Sequence, residues 1–332
     1  YYENINFHGR AIRIVSENGP AATVIDGNHT GSAAVFASGE GPDSILEGFT
    51  LRNGSGTGGA ACTNGSSPTL LNLVITGNSA EYFGGGIYCY QGSSPQITDC
   101  IITGNTASTA GRGIFAWVDS SPVVTRCTIS GNTTGGSGGG LYFESCGGAV
   151  PEISDSLVSE NEALLGGAVY ASDCSPVVTN SLIYLNEANR GGAFYCTAGA
   201  GPTIFNCTVT QNVATVSGGG GGIYINNASP VVVNTILWGD TASGLVSEIE
   251  GDMTIDITYS DIEGGFSGTG NIAFPPAFND PAGADFHLGP ASPCINQGTG
   301  TGAPQYDYEG DARLAAAGGD GLPDIGADEV PD

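Results

Sequence analysis

The chain has 332 residues, of which only 12% are charged while 56 are glycine. Thirty-three acids stand against seven bases, all arginine, for a formal net charge of -26; phosphate is repelled, which sets nucleic acid and anionic membranes aside as partners. No apolar run approaches the roughly 18 residues of a membrane span, and so much glycine beside 40% hydrophobic residues fits short strands and tight turns rather than helices.

The chain opens at Tyr1, not at a methionine, and enters a strand-like run at Asn4-Ile5-Asn6-Phe7. Any targeting segment is therefore expected to lie outside it. A loose repeat begins with Pro42 and Asn53, and a strict one follows. Pro68, Pro95, Pro122, Pro151, Pro176 and Pro202 are each followed ten residues later by Asn78, Asn105, Asn132, Asn161, Asn186 and Asn212, and Pro230 by Asp240. The spacing of the prolines varies between 25 and 29 residues, which places the length changes in loops.

Positions two, five and seven past each proline are small or apolar, as in Ile97, Cys100 and Ile102, with polar residues between them. That alternation predicts short strands with one face inward and a bend between positions two and five. A buried alanine is expected after the asparagine (Ala80, Ala107, Ala163, Ala188, Ala214), then a glycine run into a further strand such as Ile87-Tyr88-Cys89. No such repeat closes a core alone, so the copies must stack in register about 4.8 Å apart. The file Asn53, Asn78, Asn105, Asn132, Asn161, Asn186 and Asn212 is predicted to stack inward as an amide ladder, at a bend where asparagine tolerates left-handed backbone.

The repeat, with Ser292-Pro293-Cys294-Ile295-Asn296 and the ending Asp324-Ile325-Gly326-Ala327-Asp328-Glu329, resembles the secreted bacterial right-handed β-helix repeat proteins, which share their fold with pectate lyases. The closing segment is similar to regions that precede a surface anchor or sorting signal. The resemblance implies an all-β, right-handed parallel β-helix solenoid of about ten rungs, and an extracellular or cell-surface location. Residues 1–263 are assigned to the solenoid and 264–332 to an irregular Gly/Pro/Asp-rich cap or arm. No capping helix precedes Asn4, so the first rung is expected either to have lost a cap or to be covered by another molecule. A second copy added head to tail would build a filament.

Tyr88, Phe115, Tyr142, Tyr170, Tyr195 and Tyr224 each follow an inward aliphatic or aromatic residue, so they form an outward file; Trp117 and Asp119 extend it. Such a file either contacts sugar rings or stabilises the sheet by cross-strand pairing. A lyase of this fold needs an arginine or lysine base beside calcium-holding carboxylates, yet Arg112, Arg126 and Arg190 are the only bases in the clear repeats. A hydrolase needs paired carboxylates, for which Asp99, Glu144, Glu152 and Asp155 are the candidates. His8, His29 and His287 show no partner spacing. Asp307, Glu309 and Asp311, with Asp320, Asp324, Asp328 and Glu329 beyond, are either Ca²⁺ ligands on a glycine-rich loop or an acidic surface turn.

Nine cysteines leave at least one unpaired within the chain. Cys146 and Cys174, in neighbouring loops, are the expected disulfide; Cys89 with Cys100, and Cys196 with Cys207, are within-rung alternatives. Two functions remain. One is a non-catalytic extracellular rod for display, adhesion or head-to-tail self-assembly. The other is a polysaccharide lyase, glycoside hydrolase or carbohydrate-binding protein that uses the outward aromatic file.

Overall fold

A computed structural model describes residues 1–252, 254–313 and 321–330. The rung that starts at Ile87 sets the pattern. Strands Ile87–Tyr90, Gln96–Thr98, Ile101–Thr103 and Thr106–Ala107 follow one another. Each lies parallel on its counterpart one repeat away, with Ile87 on Ile114, Ile97 on Val124, Ile102 on Ile129 and Ala107 on Thr134. These four strands belong, in that order, to sheets I, II, III and IV. Sheets I to III have ten strands and sheet IV has eight among the described residues, which makes a parallel solenoid of about ten turns. The described residues contain no α-helix, and no helix long and apolar enough to cross a membrane.

Strands of two to four residues persist because every side chain that points inward meets its equivalents above and below. Ile87, Cys89, Ile97, Cys100, Ile102 and Ala107 are all buried in one continuous file-built core. The chain bends between sheets II and III at one left-handed residue per rung: Asn72, Asp99, Arg126, Asp155, Asn180, Asn206 and Asn234, with φ between 49° and 54°. Asparagine and aspartate tolerate that conformation. Arg126 does not, and it is held by a two-pronged ion pair with Asp99 one rung away, at 2.8 and 3.0 Å.

The asparagines form the expected ladder, with one correction of membership and one of cause. Asn78, Asn105, Asn132, Asn161, Asn186 and Asn212 are at most 1% exposed. Each Nδ2 donates to the next Oδ1 at 2.9 to 3.1 Å, ending on Asp240. Each of those acceptor oxygens also takes the backbone N–H of the asparagine before it, as when Asn132 Oδ1 accepts from Asn105 N at 3.0 Å. The ladder asparagines are not themselves left-handed. The residue before each one is (Gly77, Gly104, Gly131, Glu160, Leu185, Gln211, Gly239).

Asn53 occupies that preceding, left-handed position, with φ 52°, and its amide turns to Asp26 at 2.9 and 3.0 Å. The ladder slot in its rung belongs to Gly54, whose N–H donates to Asn78 Oδ1 at 2.8 Å. A Cβ there would stand 2.3 Å from Gly58 O, so no asparagine fits.

At the other end of the ladder, Asp240 is buried against Glu248, which accepts from Asp240 N at 3.1 Å. The two carboxyls interact, and no donor among the described residues reaches Asp240 Oδ2 or Glu248 Oε2, both of which are buried. Burial raises both carboxyls, so the pair keeps a proton at neutral pH. A raised acid binds its proton more tightly folded than unfolded. Its contribution is therefore complete below about pH 4 and is lost as pH rises through the raised value. Glu248→Gln supplies a permanent N–H donor to Asp240. Urea midpoints should show the variant more stable than the parent by about 1–2 kcal/mol at pH 8, and equal to it near pH 4.

Beyond the last full rung the chain turns back. Ile272 pairs with Asp261 and Phe266 packs on the end of the core, which closes that face. Phe278–Asp280 then forms an antiparallel pair with Asp285–Leu288. From there the segment lies along the outside of sheet III. Phe286 and Ala327 pack near Leu157, Leu182 and Tyr184, and Leu288, Cys294 and Ile325 pack around Ile236 and Trp238.

Candidate functional site

Two side-chain files stand outward on sheet I. In the first, Tyr88, Phe115, Tyr142, Tyr170, Tyr195 and Tyr224 are in strict register. Successive ring centroids lie 4.8 to 5.5 Å apart and the planes tilt by no more than 11°. Ring faces therefore cover one another, and what is left outward is ring edges and phenol hydroxyls. Phe115, Tyr142 and Tyr195 are buried, while Tyr88, Tyr170 and Tyr224 are half-buried.

A glycine column runs beside these residues. Gly84, Gly111 and Gly138 have φ of 61° to 69°, and a Cβ on any of them would come within 2.6 to 2.8 Å of the aromatic Cβ four residues on. Arg190 closes the far end of the file over the Tyr224 ring, 5.3 Å from its centroid.

The second file lies two residues further along each strand: Tyr90, Trp117, Glu144, Ser172, Thr197 and Asn226. Its aromatic end is open. Tyr90 and Trp117 are half-buried, with centroids 5.4 Å apart and planes tilted by 37°. Trp117 stands edge-on to Phe115 at 6.4 Å, which fixes its ring against a buried base. Glu144 accepts from the Tyr142 hydroxyl at 2.8 Å, a contact that raises the tyrosine's pKa after the larger effect of burial. Further along, Asn226 Nδ2 donates to Thr197 Oγ1 at 3.1 Å. Asp119 is exposed in the loop beyond Trp117. Sequence reasoning singled out the first file and Trp117 but missed Tyr90, Glu144 and the polar residues as one surface. The signal was the recurrence two positions beyond the aromatic, hidden because that file changes chemistry along its length.

The paired-carboxylate candidates fall on different faces. Glu144 is on sheet I and Glu152 on sheet II, while Asp99 and Asp155 flank Arg126 at the bend between sheets II and III. Partial burial lowers the Arg112 guanidinium to about 10, with Glu162 opposing the shift.

The acidic C-terminal set is rearranged as well. Asp307 is buried, and its Oδ1 accepts from the N–H of Glu309, Gly310 and Asp311 at 2.8 to 2.9 Å while Oδ2 accepts from Glu329 N at 3.1 Å. Those oxygens are committed to shaping the turn. Asp311 is exposed, and Glu309 leaves both to meet His287 at 2.6 Å. Asp307, Glu309 and Asp311 thus do not converge on a Ca²⁺-sized centre; the partner of Glu309 is a histidine that its sequence neighbourhood does not reveal. Asp320 lies outside the described residues.

Cys146 and Cys174 form the expected disulfide, joining the loops after neighbouring sheet I strands. The within-rung pairs do not form: Cys89, Cys100, Cys196 and Cys207 are free and buried. Cys89 stacks in register on Cys62 and Cys100 on Cys127, so the near sulfur in each case sits one rung away.

A parallel solenoid with an inward amide ladder and an outward aromatic file defines the class of protein. The sequence pattern of a right-handed β-helix region matches residues 10–183 and 112–273, and the chain belongs to that family. A solved pectate lyase, Pel9A, is similar over 99% of this chain and 87% of its own, with a TM-score of 0.57 at 15% identity. At that identity the likeness is one of fold. No curated protein matches the chain.

Proposed function

We propose that the protein is an extracellular rod that binds a neutral polysaccharide lengthwise on the outer face of sheet I. One observation carries this reading: the open, half-buried pair Tyr90 and Trp117 stands at the head of a straight file, one residue per rung, whose accessible polar members are Glu144, Thr197 and Asn226, with Ser172 buried between them. Aromatic faces take the apolar face of a sugar, and carboxylate, hydroxyl and amide groups take its hydroxyls. The long straight file suits a chain rather than a monosaccharide. The stacked tyrosines beside it keep the platform stiff, so little ordering is left for the binding step.

The fold shared with a pectate lyase supports polysaccharide as the ligand class. The net charge of -26 and the acids Asp119 and Glu144 favour a neutral chain over pectate, which is a polyuronate. The Cys146–Cys174 bond supports an oxidising, extracellular setting.

Affinity electrophoresis against neutral and uronate-rich polysaccharides tests this. Retardation by a neutral polymer is expected, with Tyr90→Ala and Trp117→Ala each weakening it about 30-fold, the equivalent of about 2 kcal/mol. Retardation by polyuronate alone, or variants that run like the parent on the neutral gel, would overturn the reading. Reducing-end and unsaturated-product assays on the same polymers separate binding from cleavage.

A further inference from the structure

Among the described residues, the one histidine with carboxylate partners lies outside sheet I, in the segment that folds back along sheet III. His287 sits in the strand Asp285–Leu288, Glu309 in the turn shaped by Asp307, and Asp328 in the closing stretch. Three separate pieces of chain thereby bring one imidazole nitrogen and two carboxylates together, with all three ligand atoms within 4.8 Å of one another. We propose that His287 Nε2, Glu309 and Asp328 bind a divalent ion of the zinc class, which ties the three pieces into one clamp.

Three further observations support a metal rather than a bare ion-pair cluster. First, Asp285 Oδ1 meets His287 Nδ1 at 2.5 Å, so that nitrogen carries the proton and Nε2 is presented to Glu309 and Asp328. A carboxylate behind a ligating histidine orients the ring and raises its basicity. Second, Asp328 is only 5% exposed. Its Oδ2 takes the Leu288 N–H at 2.8 Å, and no described residue donates to its other oxygen, so this nearly buried carboxylate keeps spare acceptor capacity. Third, the local charge is unbalanced. Asp285, Glu309 and Asp328 surround one imidazole, and the nearby arginine, Arg313, is turned to Glu329.

One nitrogen and two carboxylate oxygens suit zinc, which is commonly held by three protein ligands and a water. Calcium asks for six to eight oxygens. His287 and Glu309 are part-exposed, which leaves room for that water.

The test is calorimetric titration of the full chain, stripped with chelator, with zinc chloride at pH 7.5. The expected result is saturable uptake of one equivalent, and calcium at least ~10-fold weaker. His287→Ala should abolish uptake and Glu309→Gln should weaken it at least ~10-fold. Asp285→Asn, whose side chain meets the far ring nitrogen and the His287 N–H but is not among the three ligands, should weaken it ~10–100-fold. Asp311→Asn should bind like the parent. Circular dichroism of each metal-free variant establishes folding, and Glu309→Gln serves if His287→Ala does not fold. Cobalt in place of zinc should give d–d bands without a thiolate charge-transfer band. No saturable zinc uptake, uptake undiminished in His287→Ala and Glu309→Gln, or a thiolate band would each overturn the proposal.

Discussion

Asn132→Ala should lower the stability of the solenoid by about 4 kcal/mol, among the largest losses from any single truncation in the core. The side chain is fully buried. Its Oδ1 accepts from Asn105 N at 3.0 Å and Asn105 Nδ2 at 3.1 Å, and its Nδ2 donates to Ile102 O and Asn161 Oδ1, both at 3.0 Å. Truncation removes these four bonds and strands the groups that made them. Each buried polar group left without a partner costs about 1–3 kcal/mol, and a small polar-walled gap replaces the amide. Asn53→Ala is the control. Asn53 is half-buried, lies outside the ladder and bonds only Asp26, so about 1 kcal/mol is expected. Urea midpoints read both. Because a solenoid is quasi-one-dimensional, Asn132→Ala should also split the transition into two, since coupling between the rungs on either side weakens.

Arg313→Ala should release the back-folded segment while the solenoid stays folded. Arg313 is fully buried. It pairs with Glu329 at 3.0 Å and also donates to Asn180 Oδ1 at 3.2 Å, Gly326 O at 3.1 Å and Ala327 O at 2.8 Å. Asn180 belongs to the bend between sheets II and III, so this guanidinium bonds the segment directly to the solenoid. Breaking a buried pair by removing one partner costs about 3–5 kcal/mol, because the carboxylate stays behind in a dry site. Hydrogen exchange should quicken across residues 321–330 and leave sheets I and II protected. Arg126→Ala offers the contrast: its pair with Asp99 is exposed, and about 0–1 kcal/mol is expected.

The solenoid was legible because its repeat is written in residue types with only one structural use. Pro95, Cys100, Ile102 and Asn105 recur at fixed offsets, and stacking in register is the arrangement that buries them all. Asn53 misled because the loose first repeat is one residue out of step, and only the close approach of Gly58 to Gly54 decides which residue takes the ladder slot. The disulfide was readable from loops of matching position. The second file on sheet I was not, since Tyr90, Glu144 and Asn226 share a place and not a chemistry.

The His287 cluster was hidden for a different reason. Its members are 19 to 41 residues apart in a segment without a repeat, and only the fold-back joins them. Asp307, offered by the sequence as a calcium ligand or a surface acid, and Arg313, which no motif marks, are buried fasteners, one holding a turn and the other a whole segment.

The central functional claim is that a glycan lies on sheet I, and hydroxyl-radical footprinting with and without a saturating neutral polysaccharide tests it most directly. Tyr90 and Trp117 should lose reactivity when the polymer is bound, while the exposed aromatics Phe274 and Tyr306, on the back-folded segment, should not change. Equal protection of all four, or protection of Phe274 and Tyr306 alone, would contradict it.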